Sequence, residues 1–328
     1  MKKNIAVVGC GHWGKNLVRN FSDLGSLAAV CDPNAEVAQQ YADQYLVKNY
    51  SFSEVLNDLS IEGVVLAVPA PLHASMAIEV MNAGKHAYVE KPLAMNNLEA
   101  DRMIASAEEN GVQLMVGHLL QYHPIFMALR TLVESGEMGA LQYIYSNRLS
   151  FGKVRSEEDV IWSFAPHDIS MILSLTGHEP DSVRTEYTSI LQPDMADAAI
   201  VHMEFSSGLK AHISVSWLHP YKEQKLVVVG KNAMAVFDDT KPWGEKLALY
   251  RHVVRSSGSL PSLEKAEVEY VEVSQSEPLR NECQHFVDVV SGDITPLTNG
   301  KEGLGVLNVL SAASLSQSKN QAVRIESL

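Results

Sequence analysis

The chain has 328 residues, 46% of them hydrophobic and 20% charged, and it carries a formal net charge of −13. This composition is that of a globular protein large enough for two domains, and the acidic balance disfavours binding to nucleic acids or anionic membranes, whose phosphates it repels. Cys10, Cys31 and Cys283 have spacings that suit neither a disulfide framework nor a zinc site. This cysteine usage fits a reducing cytoplasm. Because no run reaches ~18 apolar residues, we expect no membrane span, and because the histidines show no ligand spacing, we expect no metal.

The first third of the chain alternates short apolar runs with helical patterns. Strands are predicted at 4–9, 27–32, 46–48, 63–68, 86–90 and 112–117, and helices at 14–25, 34–44, 53–60, 73–84 and 97–111. The strands are continuous apolar runs, which is typical of strands buried on both faces of a parallel sheet. We therefore predict an α/β domain with a doubly wound parallel sheet over residues 1–118.

The rhythm changes after residue 118, where strand-like segments dominate. Strands are predicted at 141–150, 183–191, 198–205, 209–217, 225–230, 233–238, 246–254 and 267–273, and helices at 124–135, 166–176, 278–291 and 301–319. Several of these strands alternate apolar with polar residues, as expected of an antiparallel sheet with one open face. We predict an α+β domain with a large open-faced, mostly antiparallel sheet over residues 119–328, in which 255–267 is the most loop-like stretch.

The residues after the first predicted strand indicate a dinucleotide site. Gly9, Gly11 and Gly14 form a G-x-G-x-x-G pattern that opens the first helix. In this context the first glycine allows a tight turn, the second lets the backbone approach a pyrophosphate and the third lets helix and strand pack closely. The N–H groups at the start of the helix would then face the phosphates. His12 and Trp13, which lie between the glycines, are counted among the predicted cofactor contacts.

The residue that ends the second strand predicts which cofactor is bound. Asp32 lies 18 residues after Gly14, close to the ~20 expected of the acid that binds the adenosine ribose. Its carboxylate would accept hydrogen bonds from the ribose hydroxyls of NAD and repel the 2′-phosphate of NADP. Pro33 and Asn34 follow, so no adjacent arginine neutralises that phosphate. We therefore predict a Rossmann domain that binds NAD, with NADP less favoured.

Two further segments follow strands of the same predicted sheet. Pro69 comes after the fourth strand, and His73 begins the next helix, where it either contacts the cofactor or caps and packs that helix. The fifth strand ends in Glu90, Lys91 and Pro92. Because a residue before proline favours an extended backbone, Lys91 is directed over the sheet edge where ligands bind. Lys91 is then either a functional amine or one half of a solvated charge pair with Glu90. The predicted cofactor contacts here are Pro69, Glu90, Lys91 and Pro92.

The second domain offers one candidate base. His167 follows Pro166 at the start of the helix predicted over 166–176. Proline is favoured at the first helical position, and Asp168 suits the first turn. The helix dipole disfavours a positive charge there, so the imidazole is expected to be neutral and able to take a proton from an alcohol. A core histidine satisfied by its neighbours is the alternative.

Taken together, these segments resemble the Gfo/Idh/MocA oxidoreductases. The resemblance rests on the glycine turn at 9–14, Asp32, "AVPAPLHASMAIEVMNAGKHAYVEKPLA" (67–94), "VGHLLQYHP" (116–124) and "APHDIS" (165–170), and it runs to the closing helices. Members of this family oxidise a sugar or cyclitol hydroxyl, or reduce the ketone, with NAD(P). The resemblance implies that Lys91 hydrogen-bonds the reacting oxygen, that His167 is the acid/base, and that the chain is a dimer or tetramer assembled through the open sheet face.

Within the family, the segments "GHLLQYHP", "NRLSFGKVR" and "IWSFAPHDIS" look most like the branch that acts on nucleotide-activated sugars. Its members include the 3-dehydrogenases of UDP-N-acetylglucosaminuronic acid, used in surface polysaccharide synthesis. The chain departs from the family pattern at Ser163, where many members carry an aspartate, and at Gln121 or Tyr122, near a place where an arginine is common. The first departure disfavours polyol dehydrogenases of the inositol type.

The candidate substrate residues lie around the predicted histidine helix. Arg148, Lys153 and Arg155 fall in one segment before it, and we hypothesise that they bind a diphosphate or carboxylate; an ordinary charged loop is the alternative. The predicted substrate contacts are Tyr122, Arg148, Arg155, Trp162 and Asp168.

Three other functions stay open from the sequence. The first is a 3-ketoreductase of deoxysugar pathways, which would oxidise NAD(P)H. The second is a dehydrogenase of another sugar or cyclitol. The third is an NAD-binding regulator or scaffold that kept the fold and lost the chemistry, which the presence of both Lys91 and His167 disfavours.

Overall fold

The computed structural model describes residues 4–152, 154–156, 158–255 and 262–327. Its internal contacts form two compact units: unit one is Met1–Tyr122 with Ser276–Leu307, and unit two is His123–Gln275 with Asn308–Leu328. The boundary predicted from the sequence at 118/119 assigned the late segment 276–307 to the second domain, whereas the contacts place it in unit one.

The elements are numbered along the chain. The helices are α1 (Gly14–Asp23), α2 (Ala35–Tyr45), α3 (Phe52–Asn57), α4 (His73–Asn82), α5 (Asn97–Asn110), α6 (Pro124–Glu134), α7 (Val160–Thr176), α8 (Pro278–Val290) and α9 (Gly300–Lys319). The strands are β1 (Ile5–Val8), β2 (Leu27–Cys31), β3 (Lys48–Asn49), β4 (Gly63–Leu66), β5 (His86–Val89), β6 (Leu114–Val116), β7 (Leu141–Phe151), β8 (Ser182–Thr188), β9 (Ala198–Glu204), β10 (Lys210–Ser216), β11 (Leu218–Gly230), β12 (Met234–Asp238), β13 (Leu247–Tyr250), β14 (Val253–Arg255), β15 (Ser262–Glu264), β16 (Val268–Tyr270) and β17 (Val323–Arg324).

The sheet of unit one is parallel, and its strands lie in the order β3-β2-β1-β4-β5-β6. Every residue of β1 and β4 is buried, as expected of strands covered by helices on both faces. The strand order reverses between β1 and β4, which is where doubly wound sheets bind ligands at their carboxyl edge. The predicted doubly wound domain is confirmed.

The late helix α8 completes the core of unit one. The ring of Phe286 packs edge-on against Tyr88 of β5, with centroids 5.5 Å apart, and against Phe21 of α1, at 6.2 Å. All three side chains are fully buried. Aromatic pairs of this geometry add to the free energy gained by burying their area, so residues far apart in sequence hold this helix on the sheet.

The large sheet of unit two has the strand order β16-β13-β12-β11-β7-β10-β9-β8-β17. Its pairings are antiparallel except for β7 with β10. Along β10, Ala211, Ile213 and Val215 are buried while Lys210 is exposed, so side chains alternate between the covered face and the open face. The predicted open-faced, mostly antiparallel sheet is confirmed.

The helix that carries His167 starts earlier than predicted. Asp159 caps α7 by accepting hydrogen bonds from the backbone N–H groups of Ile161 and Trp162, so the helix begins at Val160 rather than at 166. Pro166 lies inside it, where its ring removes one backbone hydrogen bond without ending the helix. The prediction that Pro166 occupies the first helical position was therefore wrong.

The predicted loop 255–267 also needs a correction. Its residues Ser262–Glu264 form strand β15, which pairs antiparallel with β14, while 256–261 lie outside the described residues. Across the described ranges, no helix combines the length and apolar character needed to cross a bilayer.

Candidate active site

The glycine-rich turn follows β1, and the structure shows a different reason for glycine at each of its three positions. Gly9 has φ +91°, and a Cβ there would lie 2.4 Å from the carbonyl oxygen of Ala67; at Gly14 a Cβ would lie 1.8 Å from the carbonyl oxygen of Gly9. A Cβ at Gly11 would meet no atom within 4 Å. Gly9 and Gly14 are thus fixed by backbone shape and close packing, whereas Gly11 borders open space that a ligand could approach.

The helix after this turn begins without a capping side chain. Trp13 is the N-cap residue of α1 and makes no capping hydrogen bond, and the first turn carries no acidic residue. Within this turn the N–H groups of Lys15 and Asn16 donate to the backbone carbonyls of Gly11 and Trp13 at 3.2 and 2.9 Å. What the helix start offers an anion is therefore the positive end of its dipole, with no acidic side chain beside it.

Asp32 braces the same turn from the end of β2. Its Oδ2 accepts a hydrogen bond from the Cys10 N–H at 2.7 Å, and its Oδ1 accepts one from the Asn34 N–H at 2.9 Å. Each carboxylate oxygen has a second lone pair, so this half-buried group can still accept from ribose hydroxyls. Its geometry and charge fit NAD.

Two thiols near Asp32 are inert. Burial, followed by the negative charge of Asp32, raises the pKa of Cys10 to about 12 and that of Cys31 to about 11. Since the thiolate is the reactive form, these cysteines are core residues.

The Lys91 turn lies at the end of β5, two strands from β1. Glu90 accepts a hydrogen bond from the indole Nε1–H of Trp13 at 2.5 Å and one from the backbone N–H of Lys91 at 3.3 Å. Lys91 is half-buried, and its peptide bond to Pro92 is cis. The structure thus brings together three residues singled out from the sequence: Trp13, Glu90 and Lys91.

His73 supports this turn from α4. It is 1% exposed, and its two ring nitrogens lie 2.7 Å from the carbonyl oxygen of Pro92 and 2.9 Å from that of Val68. Burial lowers its pKa, although the two carbonyl contacts oppose the effect. His73 thus ties the Pro92 turn to the segment before the exposed Pro69, and its contact with the cofactor stays a prediction.

The sequence analysis did not single out three acidic or basic residues of unit one, which are His118, Glu282 and Glu302. His118 follows β6, is 1% exposed, and its Nδ1 lies 2.6 Å from Glu302 Oε2. Glu282 on α8 is 1% exposed, and burial raises its pKa well above the ordinary value, with the charge of Glu90 as the second cause. A histidine directly after a predicted strand was a usable signal for His118; an acid in an amphipathic helix gave none for Glu282.

His167 lies in the middle of α7. It is the eighth residue of the helix and half-buried, so the argument that a helix N-terminus keeps its ring neutral does not apply. Ser163, one turn earlier, is 6% exposed and lies on the same side of the helix. The role of His167 as the acid/base stays a prediction.

Asp168 faces the sheet of unit two and pairs with Arg148. Arg148 Nε lies 2.5 Å from Oδ2 and Nη2 lies 3.2 Å from Oδ1, and the Ser146 hydroxyl donates to Oδ1 at 2.5 Å. Asp168 is 1% exposed. Its charge is therefore balanced by a bidentate arginine, and not by a helix N-terminus as the sequence suggested.

The remaining predicted substrate residues each have different surroundings. Tyr122 belongs to unit one, where it is 3% exposed and its hydroxyl lies 2.9 Å from Thr298 Oγ1, so it occupies a core position. Trp162 is half-buried and donates to the Ser314 hydroxyl at 2.9 Å. Arg155 is exposed and pairs with Glu158. Lys153 lies outside the described residues, and His12 is exposed.

Within the described part of the chain, no three His, Cys, Asp or Glu side chains are grouped so that they could hold a metal ion.

The chain is similar to proteins of established activity along most of its length. It is 28% identical over 302 residues to UDP-N-acetylglucosamine 3-dehydrogenase of Acidithiobacillus ferrooxidans. The alignment covers 92% of this chain and 93% of the relative. A crystal structure of that enzyme superposes with a TM-score of 0.85 at 27% identity, covering 95% of this chain and 96% of the other. Inositol 2-dehydrogenase of Salmonella typhimurium is 26% identical over 226 residues, or 66% of this chain and 67% of the relative.

Two family models match the two parts of the chain. Residues 3–118 match the oxidoreductase family with an NAD-binding Rossmann fold, and residues 126–236 match the GFO/IDH/MocA C-terminal domain. The glycine-rich turn, Asp32 and the Lys91 turn all lie in the first match. The chain therefore belongs to the Gfo/Idh/MocA family of NAD-binding oxidoreductases.

Proposed function

We propose that the chain is an NAD-dependent dehydrogenase of a nucleotide-activated sugar, with the C3 hydroxyl of a UDP-N-acetylhexosamine or its uronic acid as the reacting group. The observation that carries this is the joining of the glycine-rich turn and the Lys91 turn through Trp13 and Glu90. This joining connects the turn that carries the Lys91 amine to the glycine-rich turn, whose shape suits a dinucleotide.

The cofactor residues fit NAD on three counts. The start of α1 presents the positive end of its dipole to the pyrophosphate with no acidic residue in its first turn, Gly11 leaves room for it, and the carboxylate of Asp32 suits an unphosphorylated ribose. The chemistry that bound NAD supplies is the acceptance of a hydride from the carbinol carbon.

The chain's own groups then have to manage the hydroxyl proton. Lys91 donates a hydrogen bond to the reacting oxygen and His167 takes the proton. General-base help of this kind is worth roughly 10²–10⁴-fold in rate, and alignment of the two reactants has to supply the rest.

Two observations favour a nucleotide sugar over a cyclitol. The UDP-N-acetylglucosamine 3-dehydrogenase is 28% identical to this chain over 302 residues, against 26% over 226 residues for the inositol 2-dehydrogenase and 25% over 338 residues for a scyllo-inositol 2-dehydrogenase of Bacillus subtilis. Ser163 also stands where the inositol-type pattern has an aspartate. We further expect a homo-oligomer that buries the open face of the sheet in unit two.

A substrate panel tests this function. Purified protein is incubated with NAD⁺ and, separately, UDP-N-acetylglucosamine, UDP-N-acetylglucosaminuronic acid, free N-acetylglucosamine and scyllo-inositol, while the reduced nicotinamide band is followed by absorbance. We expect growth of the band with a UDP-sugar and none with Lys91→Met, while the exposed-lysine variant Lys48→Met serves as the matched control.

The competing functions give different results. Turnover of the inositol alone identifies a cyclitol dehydrogenase, and consumption of NADH with a 3-keto sugar as the sole activity identifies a ketoreductase. If NAD⁺ binds and no substrate changes the band, the regulator or scaffold replaces the enzyme.

A further inference from the structure

The hydrogen bond between Trp13 and Glu90 joins two turns that are not neighbours in the sheet. Trp13 follows β1 and Glu90 follows β5, and β4 lies between these strands. The bond therefore spans the carboxyl end of β4, linking residues that are 77 positions apart in the chain.

Glu90 has little freedom to leave this position. One carboxylate oxygen accepts from Trp13 and the other from the Lys91 N–H. Beneath it lies Gly117, where a Cβ would stand 3.0 Å from Glu90 Oε2 and 3.1 Å from Cδ. A side chain at 117 would push the carboxylate away, so the close approach of Glu90 depends on glycine there.

The charges around Glu90 favour its role as an acceptor. Burial raises its pKa, while the hydrogen bond from Trp13 and the positive charge of Lys91 oppose that rise. Glu282, behind it, has its pKa raised well above the ordinary value. Of the two acids, Glu90 is the one that receives N–H donors.

Two more titratable groups face this pair. The charge of His118 lowers the pKa of Glu90, and His118 is itself held by Glu302. The charges of Glu282 and Glu90 both add to the burial that raises the pKa of Tyr88.

The bond lies on one side of the cofactor site. Asp32 follows β2 and marks the adenosine side, because the acid at that strand end binds the ribose in this fold. Trp13 and Glu90 lie toward β4 and β5, on the side left for the nicotinamide half. Trp13 is also the N-cap of α1, so one hydrogen bond connects the phosphate-binding helix start to the Lys91 turn.

We propose that Trp13 and Glu90 form a clamp that holds the glycine-rich turn and Lys91 in the register needed by bound NAD, so that both are positioning residues. The proposal rests on the NAD-binding function given above. It requires their contributions to cofactor affinity to be coupled, because each acts through the other.

A double-mutant cycle measures this coupling. The dissociation constant for NAD⁺ is measured by calorimetry for the parent, Trp13→Phe, Glu90→Gln and the double variant, with Trp243→Phe as the matched control, since Trp243 also donates its indole N–H but to the Val273 carbonyl of unit two. We expect each single variant to weaken NAD⁺ binding by about tenfold and the double variant by no more than the weaker single. The control should bind as the parent does.

A spectroscopic readout separates positioning from general loss of structure. Trp13 is the one tryptophan of the sequence outside residues 123–275, the others being Trp162, Trp217 and Trp243. Because indole emission overlaps the absorbance of reduced nicotinamide, NADH should quench tryptophan emission in the parent and in Trp243→Phe. In Glu90→Gln, which keeps all four tryptophans, half-maximal quenching should need a higher NADH concentration. NAD⁺ affinity of the parent should also fall as pH drops and Glu90 takes up a proton, whereas Glu90→Gln should show a flatter profile.

The results that would overturn the clamp differ from those that would overturn the dehydrogenase function. Multiplying effects in the double variant, parent-like NAD⁺ binding by Trp13→Phe, or a parent-like NADH dependence of quenching in Glu90→Gln would each overturn the clamp. If Glu90→Gln does not fold, Trp13→Phe alone still decides through its affinity for NAD⁺. Failure of the sugar dehydrogenase function would instead appear as intact NAD⁺ binding without turnover in the parent, which leaves the clamp standing.

Discussion

The carboxylate of Asp168 is held by the guanidinium of Arg148, with Nε 2.5 Å from Oδ2, directly after His167 in the same helix. Both groups are largely withdrawn from water, at 1% and 13% side-chain exposure. A sequence-based interpretation made Arg148 a ligand for substrate phosphate. In the structure the Arg148 side chain instead forms an ion pair with Asp168.

We expect Arg148→Ala to cost about 3–5 kcal/mol of unfolding free energy, because it leaves a buried carboxylate without its countercharge. Arg148→Lys should lose part of this, since lysine cannot form the two parallel bonds. The free energies of unfolding are measured in urea, with Arg184→Ala, an exposed arginine of β8, as the control. A stability close to that of the parent, accompanied by a raised KM for a UDP-sugar, would return Arg148 to the substrate site.

The glycines of the first turn should separate stability from cofactor binding. Gly14→Ala places a Cβ 1.8 Å from a carbonyl oxygen, so we expect a loss of about 1–3 kcal/mol from overpacking. Gly11→Ala meets no protein atom within 4 Å, so its stability should stay within about 0.5 kcal/mol of the parent while NAD⁺ binding weakens. Thermal unfolding and calorimetry compare the two variants. Equal stability losses, or normal NAD⁺ binding by Gly11→Ala, would contradict this division.

Asp32→Ala should change which cofactor is preferred. The variant loses a charged acceptor for the ribose hydroxyls and the repulsion of a 2′-phosphate, so we expect the NAD/NADP affinity ratio to fall by about 10–100-fold. Titration of both cofactors against the parent and against Asp43→Ala, a surface variant of α2, measures it. A ratio that does not move would show that Asp32 only braces the turn through Cys10 and Asn34.

Glu282 should make stability fall as pH rises. Its pKa is raised above the ordinary 4.5 by burial, so between that value and the higher folded pKa the native state binds more protons than the unfolded state, and the unfolding free energy declines with pH. Glu282→Gln keeps the shape and cannot ionise. We expect the parent to lose stability relative to this variant from about pH 5 upward, as measured by urea unfolding across a pH series. A constant difference would mean that Glu282 does not hold a proton in the folded protein.

Much of unit one could be predicted from the sequence because its signals are local. The apolar runs, the glycines at fixed offsets and Asp32 at the end of β2 each lie within a few tens of residues of one another. Lys91 was found for the same reason, since Pro92 constrains its backbone.

The misplaced features depend on contacts that no local pattern carries. Pro166 looked like a helix start because proline is favoured there, whereas the cap supplied by Asp159 allows the helix to begin earlier. The pairing of Arg148 with Asp168 joins a strand and a helix across 20 residues. The buried Glu282 and the contact of Phe286 with Tyr88 join residues nearly 200 positions apart, and periodicity alone cannot show such neighbours.

The assignment of Ser276–Leu307 to unit one has a consequence for how the protein is made. During translation, the strands of the cofactor domain leave the ribosome long before the helix that carries Phe286. The apolar surface around Tyr88 and Phe21 therefore stays uncovered until α8 has been synthesised, nearly 200 residues after Tyr88.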